Sequence, residues 1–306
     1  MRALDGSGVD VFPLCLGGNV FGWTADEAAS FAVLDAYSAA GGNFVDTAAS
    51  YSAWVPGNSG GESETIIGNW MSARGNRESV VVGTKIGPSP RLGRDAVLAG
   101  AEASLRRLRS DYIDLYYIHH DDPETPLEET LGAFGELVAA GQVRHVGLSN
   151  FSRERLELAL EVVSREGLPP IVALQNEHNL LRRDYESGPR EVAQREGIAA
   201  VPYYALASGF LTGKYRRDGA DVASARAQGV SRFMDDHGFA VLDALDAVAA
   251  AHATSVSAVA LAWLLAQPTV VAPIASARTV AQLEELLAFT QLELSADELD
   301  SLSRAG

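Results

Sequence analysis

The 306-residue sequence contains one cysteine and only two lysines. Cys15, in "PLCLGG", has no partner for an internal disulfide and no C-x-x-C companion, which excludes a disulfide framework or zinc–cysteine scaffold and fits a core thiol in a reducing compartment. No apolar run reaches the roughly 18 residues of a membrane span, and "MRALDGSGVDVF" lacks the basic and then apolar pattern of a signal sequence. A cytoplasmic protein is therefore expected. Positive charge is also scarce: 24 basic against 40 acidic residues give a formal charge of −16. That balance argues against nucleic acid and membrane as partners, since both are normally collected by basic patches. A small anionic cofactor stays compatible, because a few local cations and backbone donors suffice to hold one. With arginine supplying nearly all the positive charge, Lys85 and Lys214 call for a chemical reason.

What is present is a regular alternation. Strand candidates fall at 12–17, 43–47, 79–85, 112–120, 143–150, 171–177, 198–204 and 270–275, each an apolar run rich in β-branched residues. Helical patterns lie between and after them at 26–40, 62–73, 94–108, 127–140, 152–165, 188–196, 238–252 and 279–288, with Asp26, Asp95 and Ser152 as candidate caps. Eight strand–helix repeats in this length predict an α/β fold of the (β/α)8 TIM-barrel type, a single domain over 1–306. An open doubly wound sheet is the alternative, but "LGGNVFG" (16–22) is not its G-x-G-x-x-G turn. Two features stand outside the repeat: a long connection at about 205–236, a candidate lid, and an extra apolar helix at about 255–267.

Barrel strands point their C-terminal ends at the active face. Polar residues ending successive strands are Asp46, Lys85, the pair His119–His120, Ser149–Asn150 and Gln175–Asn176. A buried Lys–Asp pair on neighbouring strands is costly unless it has a task. Tyr51 follows Asp46 by five residues, near enough for the loop to return a phenol over the strand end. A nearby ammonium would stabilise its phenolate, so Lys85 could help it donate a proton near neutral pH while Asp46 holds the lysine. Lysine can share a proton where arginine cannot, which gives a reason for its survival here.

The stretches "GGNFVDTAASY" (41–51), "VVVGTKIG" (81–88), "YIDLYYIHHDD" (112–122), "GQVRHVGLSNF" (141–151) and "LASGFLTGKY" (206–215) together resemble the signatures of the aldo-keto reductases, in that family's order. The resemblance implies a nicotinamide-dependent carbonyl reductase whose catalytic tetrad is Asp46, Tyr51, Lys85 and His119. It implies Tyr51 as general acid and His119 as the group orienting the carbonyl oxygen. It further implies Ser149, Asn150 and Gln175 at the nicotinamide carboxamide, Tyr203 stacked on the ring, and Leu206, Ser208, Gly209 and Lys214 around the pyrophosphate. Ser276, Arg278, Gln282 and Glu285 match the adenosine-binding turn and helix. Arg278 near a ribose 2′-phosphate favours NADPH/NADP+ over NADH, and Arg226 is a further candidate for the same cofactor.

Some positions depart from the family pattern. Tyr204 stands where a serine is usual, Leu286 where an asparagine is common, and Gly18 where a threonine is common. Phe21, Trp23, Trp54, His120 and Tyr204 are candidate walls of the substrate pocket, and the insertion at 52–63 is expected to shape one side. The chain ends soon after the eighth helical unit, which suggests an open pocket for aldehydes and ketones. A metal site at "HHDD" is disfavoured because consecutive strand residues point to opposite faces, leaving His119 and His120 apart and Asp121 and Asp122 in a solvated loop. The alternatives are a non-catalytic cofactor-binding regulatory subunit, or a reductase of a sugar or activated C=C intermediate. Oligomeric state cannot be read from the sequence.

Overall fold

A computed structural model of the chain describes all residues except Asp5, residues 88–90, Asp218 and residues 220–226, with the backbone alone at 227 and 228. It opens with an antiparallel hairpin of β1 (Arg2–Leu4) and β2 (Val9–Val11). Parallel strands follow: β3 (Cys15–Gly17), β4 (Phe44–Asp46), β5 (Val81–Lys85), β6 (Ile113–Ile118), β7 (Val143–Ser149), β8 (Ile171–Gln175), β9 (Ala199–Ala200) and β10 (Ile274–Ala275). They pair in the order β10-β3-β4-β5-β6-β7-β8-β9. The two ends of that sheet also meet: Val270 bridges Ala200, and the Ile274 N–H donates to the Pro202 carbonyl at 2.9 Å. The result is the (β/α)8 barrel expected from the alternation.

The first strand–helix units carry α1 (Glu27–Ala39), α2 (Glu62–Arg74), α3 (Arg94–Leu108), α4 (Leu127–Ala139), α5 (Arg153–Glu166) and α6 (Pro189–Glu196). After the long connection, which includes the short α7 (Ala227–Val230), come α8 (Asp236–Ala251), the extra apolar α9 (Val256–Leu265), α10 (Val280–Leu287) and α11 (Ala296–Ala305). Asp26 and Ser152 are N-caps, accepting from the backbone N–H of Ala29 and Arg155. Asp95 is not: Gly93 holds the cap position, and Glu129 of α4 reaches across to accept from the Arg94 N–H at 3.0 Å. A side chain from the next helix thus replaces the local cap. No single helix among the described residues is long and apolar enough to cross a membrane.

Strand alternation divides the core into two layers. On β6, Leu115 and Tyr117 face the barrel interior with Cys15, Phe44 and Val172, while Tyr116 and Ile118 face the surrounding helices. The Tyr117 ring fits because β7 offers it glycine: a Cβ on Gly147 would lie 2.4 Å from that ring. Leu4 and Val11 of the hairpin join the interior cluster, so the end of the barrel away from the strand C-termini is plugged with apolar side chains. Burying each such side chain contributes about 1.5–3 kcal/mol. The hairpin and α11 are elements the alternation did not predict. The α11 signal was nonetheless present, since Ser295 and Glu298 form a capping box.

Candidate active site

Polar side chains converge where the strands end. Asp46 closes β4 and Lys85 closes β5, both essentially without solvent exposure. The Lys85 ammonium donates to Asp46 Oδ1 at 2.7 Å and Oδ2 at 2.8 Å, to the Thr47 carbonyl at 2.7 Å and to the Tyr51 hydroxyl at 3.0 Å. Gln175, at the end of β8, adds its amide N–H to Asp46 Oδ1 at 2.9 Å. A charge pair taken out of water survives only when its remaining lone pairs and protons are satisfied in this way.

Tyr51 reaches the pair because its loop is folded back. The Ala49 N–H bonds the Lys85 carbonyl, Tyr51 N–H closes a turn on Ala48, and Ser52, at a positive φ of 69°, donates its hydroxyl to the Phe21 carbonyl at 2.9 Å. The phenol then donates to Asp46 Oδ2 at 3.2 Å. Burial and the adjacent Asp46 carboxylate push its pKa well above the usual range. With Asp46 countering the lysine's charge, the resting site favours the protonated phenol. Tyr51 is held as a neutral phenol.

His119 stands just past the end of β6, with its ring 6.3 Å from that of Tyr51. Burial first, then the charge of Lys85 and the neighbouring His120, lower its pKa to about 3. At neutral pH it is an uncharged imidazole.

The placement of its neighbours corrects the expectation from alternation. β6 ends at Ile118, so the two-residue period no longer governs His119 and His120. Their rings stack at 4.7 Å with planes 14° from parallel. Nor are the two aspartates merely solvated. Asp121 takes a bidentate pair from Arg155 at 2.7 Å on both oxygens, and Asp122 accepts from the Leu92 N–H at 2.9 Å and Thr125 hydroxyl at 2.6 Å. Among the described residues, no group of three or more His, Cys, Asp or Glu side chains is arranged to hold a metal ion.

These groups lie along a cleft of about 610 Å³. Asp46, Tyr51 and His119 border its deep end, together with Ser149, Asn150, Gln175 and Tyr203. Asn150 links several of them: it donates to the His119 carbonyl at 2.9 Å and accepts from the Tyr203 hydroxyl at 2.6 Å. The Ser149 hydroxyl donates to the Gln175 carbonyl at 2.8 Å. Leu206, Ser208, Gly209 and Lys214 line the middle, and Ser276, Arg278, Gln282 and Glu285 line the far part. There the Arg278 N–H bonds Gln282 Oε1 at 2.9 Å, and Ser257 donates to Glu285 at 2.9 Å. Lys214 and Arg278 are exposed and form no ion pair among the described residues. Arg226 lies outside the described residues.

Of the candidate pocket walls, Trp23, Trp54, His120 and Tyr204 border the cleft. The Trp23 and Trp54 rings meet edge to face at 5.6 Å. The 52–63 insertion supplies Trp54 and ties itself to the earlier loop through Asn58, which donates to the Gly22 carbonyl at 3.1 Å. Phe21 does not contribute: it is fully buried in the outer core, fixed there when its carbonyl accepts the Ser52 hydroxyl. Sequence reading missed Asn19, Ser50, Thr212 and Ser257 on the cleft wall. Asn19 accepts from Ser276 at 2.8 Å. Its position just beyond β3 was the available signal, since loops after barrel strands face the site.

Comparison with known proteins gives the class and family of this barrel. The family model described as "Aldo/keto reductase family" matches residues 13–306. Protein tas of Escherichia coli K12 is 33% identical, over 96% of this chain and 93% of that protein. Norsolorinic acid reductase stcV of Emericella nidulans is also 33% identical, over 96% of this chain and 78% of its own. A crystal structure of a thermostable aldo-keto reductase in complex with the inhibitor epalrestat superposes with a TM-score of 0.80 and 31% identity, covering 100% of this chain and 99% of that one. The chain belongs to the aldo/keto reductase family.

Proposed function

We propose that this family member reduces an aldehyde or ketone to an alcohol with NADPH as donor. The observation that carries the reading is the contact of Tyr51, Lys85 and Asp46, all within 3.2 Å of a neighbour, with Tyr51 and Asp46 on a cleft wall shared with His119 and Lys85 buried behind them. The donor set fits a dinucleotide: hydroxyl and amide groups with an aromatic ring at the deep end, and farther out two cations with no ion pair among the described residues. Close backbone approach is built in too, since Gly209 sits at a left-handed φ of 96° and a Cβ on Gly17 would strike the Ser276 hydroxyl at 2.6 Å. Bound reduced nicotinamide supplies hydride to the carbonyl carbon.

The chain's own groups do the rest. His119, neutral, donates one ring N–H to the carbonyl oxygen and polarises it. Tyr51 delivers the proton to that oxygen as negative charge develops. The Lys85 ammonium, 3.0 Å from the phenol oxygen, then stabilises the phenolate left behind. Ser149, Asn150 and Gln175 would hold the carboxamide. One Gln175 amide N–H is already donated to Asp46, which leaves its second N–H and its carbonyl oxygen for the carboxamide. Tyr203 would stack on the nicotinamide, and Leu206, Ser208, Gly209 and Lys214 would surround the pyrophosphate. Ser276, Gln282 and Glu285 would meet the adenosine, with Arg278 on the 2′-phosphate, hence NADPH over NADH. A small-molecule carbonyl in the cytoplasm is the proposed partner.

The test is NADPH oxidation with an activated aldehyde such as 4-nitrobenzaldehyde, run beside Tyr51→Phe. Turnover by the wild type and its loss in a variant that still quenches cofactor fluorescence support the reading. Full activity in the variant would remove the mechanism.

A further inference from the structure

We propose that His120 is the positioning residue for the His119 imidazole, a proposal that rests on the carbonyl-reductase reading above. Few other contacts fix that ring. Among the described residues neither ring nitrogen of His119 has a hydrogen-bond partner; the residue's one bond, from Asn150 Nδ2 at 2.9 Å, goes to its backbone carbonyl. Packing leaves the ring open on two sides as well, because the residue borders both the 610 Å³ cleft and an adjacent 340 Å³ chamber. The final torsion of a histidine is broad and roughly two-fold. A hydrogen bond that counts only in the transition state needs tighter orientation.

The His120 ring supplies the missing constraint. It covers one face of His119 at 4.7 Å with planes 14° apart, which blocks rotation about that torsion. His120 is exposed, yet the chain just beyond it is not free to drift: Asp121 is held by Arg155 from α5, and Asp122 by the Leu92 N–H and Thr125. Partial burial first, and then the charge of Lys85, also lower the pKa of both rings, which favours a stack without charge repulsion.

The test is a double-mutant cycle on purified full-length protein with NADPH and 4-nitrobenzaldehyde. His120→Ala should lower kcat about tenfold and leave the KM for NADPH within about twofold, whereas His120→Phe, which keeps a stacking face, should recover most of kcat. In a His119→Ala background, His120→Ala should have no further effect. An unchanged kcat in His120→Ala, equal losses in the Ala and Phe variants, or an additive loss in the His119→Ala background would each overturn the proposal. Imidazole ¹⁵N–¹H spectra give a second readout independent of turnover. The His119 ring signals should be single and sharp in the wild type and His120→Phe, and broadened or doubled in His120→Ala; unchanged spectra would overturn it too. If the wild type oxidises no NADPH, the reductase reading fails, and these spectra still decide the stack.

Discussion

The two ends of the cleft are built on opposite terms. At the deep end, Asp46 accepts from Lys85, Tyr51 and Gln175, and the Lys85 ammonium reaches four oxygen atoms. Away from it, Lys214 along the middle and Arg278 in the far part stand exposed with no ion pair among the described residues. Dipoles that must act on a developing charge are most effective when they are fixed beforehand, which a saturated and desolvated network provides. Cations that must recognise a ligand are better left without a protein carboxylate to displace. One end is prepared for chemistry and the other for capture.

The largest way to break that contrast is Lys85→Met, which leaves Asp46 buried without its counterion. Stability should fall by about 3–5 kcal/mol, read from the urea midpoint, and turnover should vanish. Tyr51→Phe comes next: it removes the acid but keeps the ring, so kcat should drop by roughly 10²–10⁴-fold with cofactor affinity retained. His119→Ala should cost about 10²-fold in kcat, well beyond the loss in His120→Ala; steady-state kinetics that reversed this order would exchange the two histidines' roles. Arg278→Ala probes the other end and should weaken NADPH about tenfold while leaving NADH nearly unchanged. Titrations giving the same affinity ratio in both proteins would refute the 2′-phosphate assignment.

A further expectation concerns pH. His119 in the folded chain titrates at about 3, below the ordinary value of 6.5. The unfolded chain therefore binds the proton first as pH falls, and stability drops from about pH 6.5 toward 3. His119→Gln should show a shallower decline than the wild type over that window in urea denaturation. Parallel curves would mean that the ring is not buried neutral.

The barrel was legible because its signal repeats: each apolar run rich in β-branched residues precedes a helical period, and one blurred boundary does not erase the pattern. Asp46 and Lys85 could be singled out because buried charge at a strand end is costly enough to need explanation, whereas His119, Ser149, Asn150, Gln175 and Tyr203 were assigned only through the family resemblance. Features that depend on local geometry were harder to see. Alternation separated His119 from His120, yet the strand stops at Ile118 and their rings stack. Phe21 looked like a pocket wall because its neighbours are, but the Ser52 bond to its carbonyl belongs to a turn that sends its ring into the core. Asp121 and Asp122 resemble any polar loop until Arg155, Leu92 and Thr125, distant in sequence or hidden behind a turn, are brought to them.

The seam of the barrel has a consequence for how the chain is made. β3 forms within the first 17 residues, but its partner β10 ends at Ala275, and Arg2 bonds the carbonyls of Leu265 and Val270. While the ribosome is still producing the intervening chain, β3 keeps an unpaired edge, the kind of surface that recruits other strands. Emergence of the last unit both closes the ring and ends that hazard. Truncations ending between residues 204 and 273 should therefore accumulate as aggregates, even though every deep-end residue is already present in them.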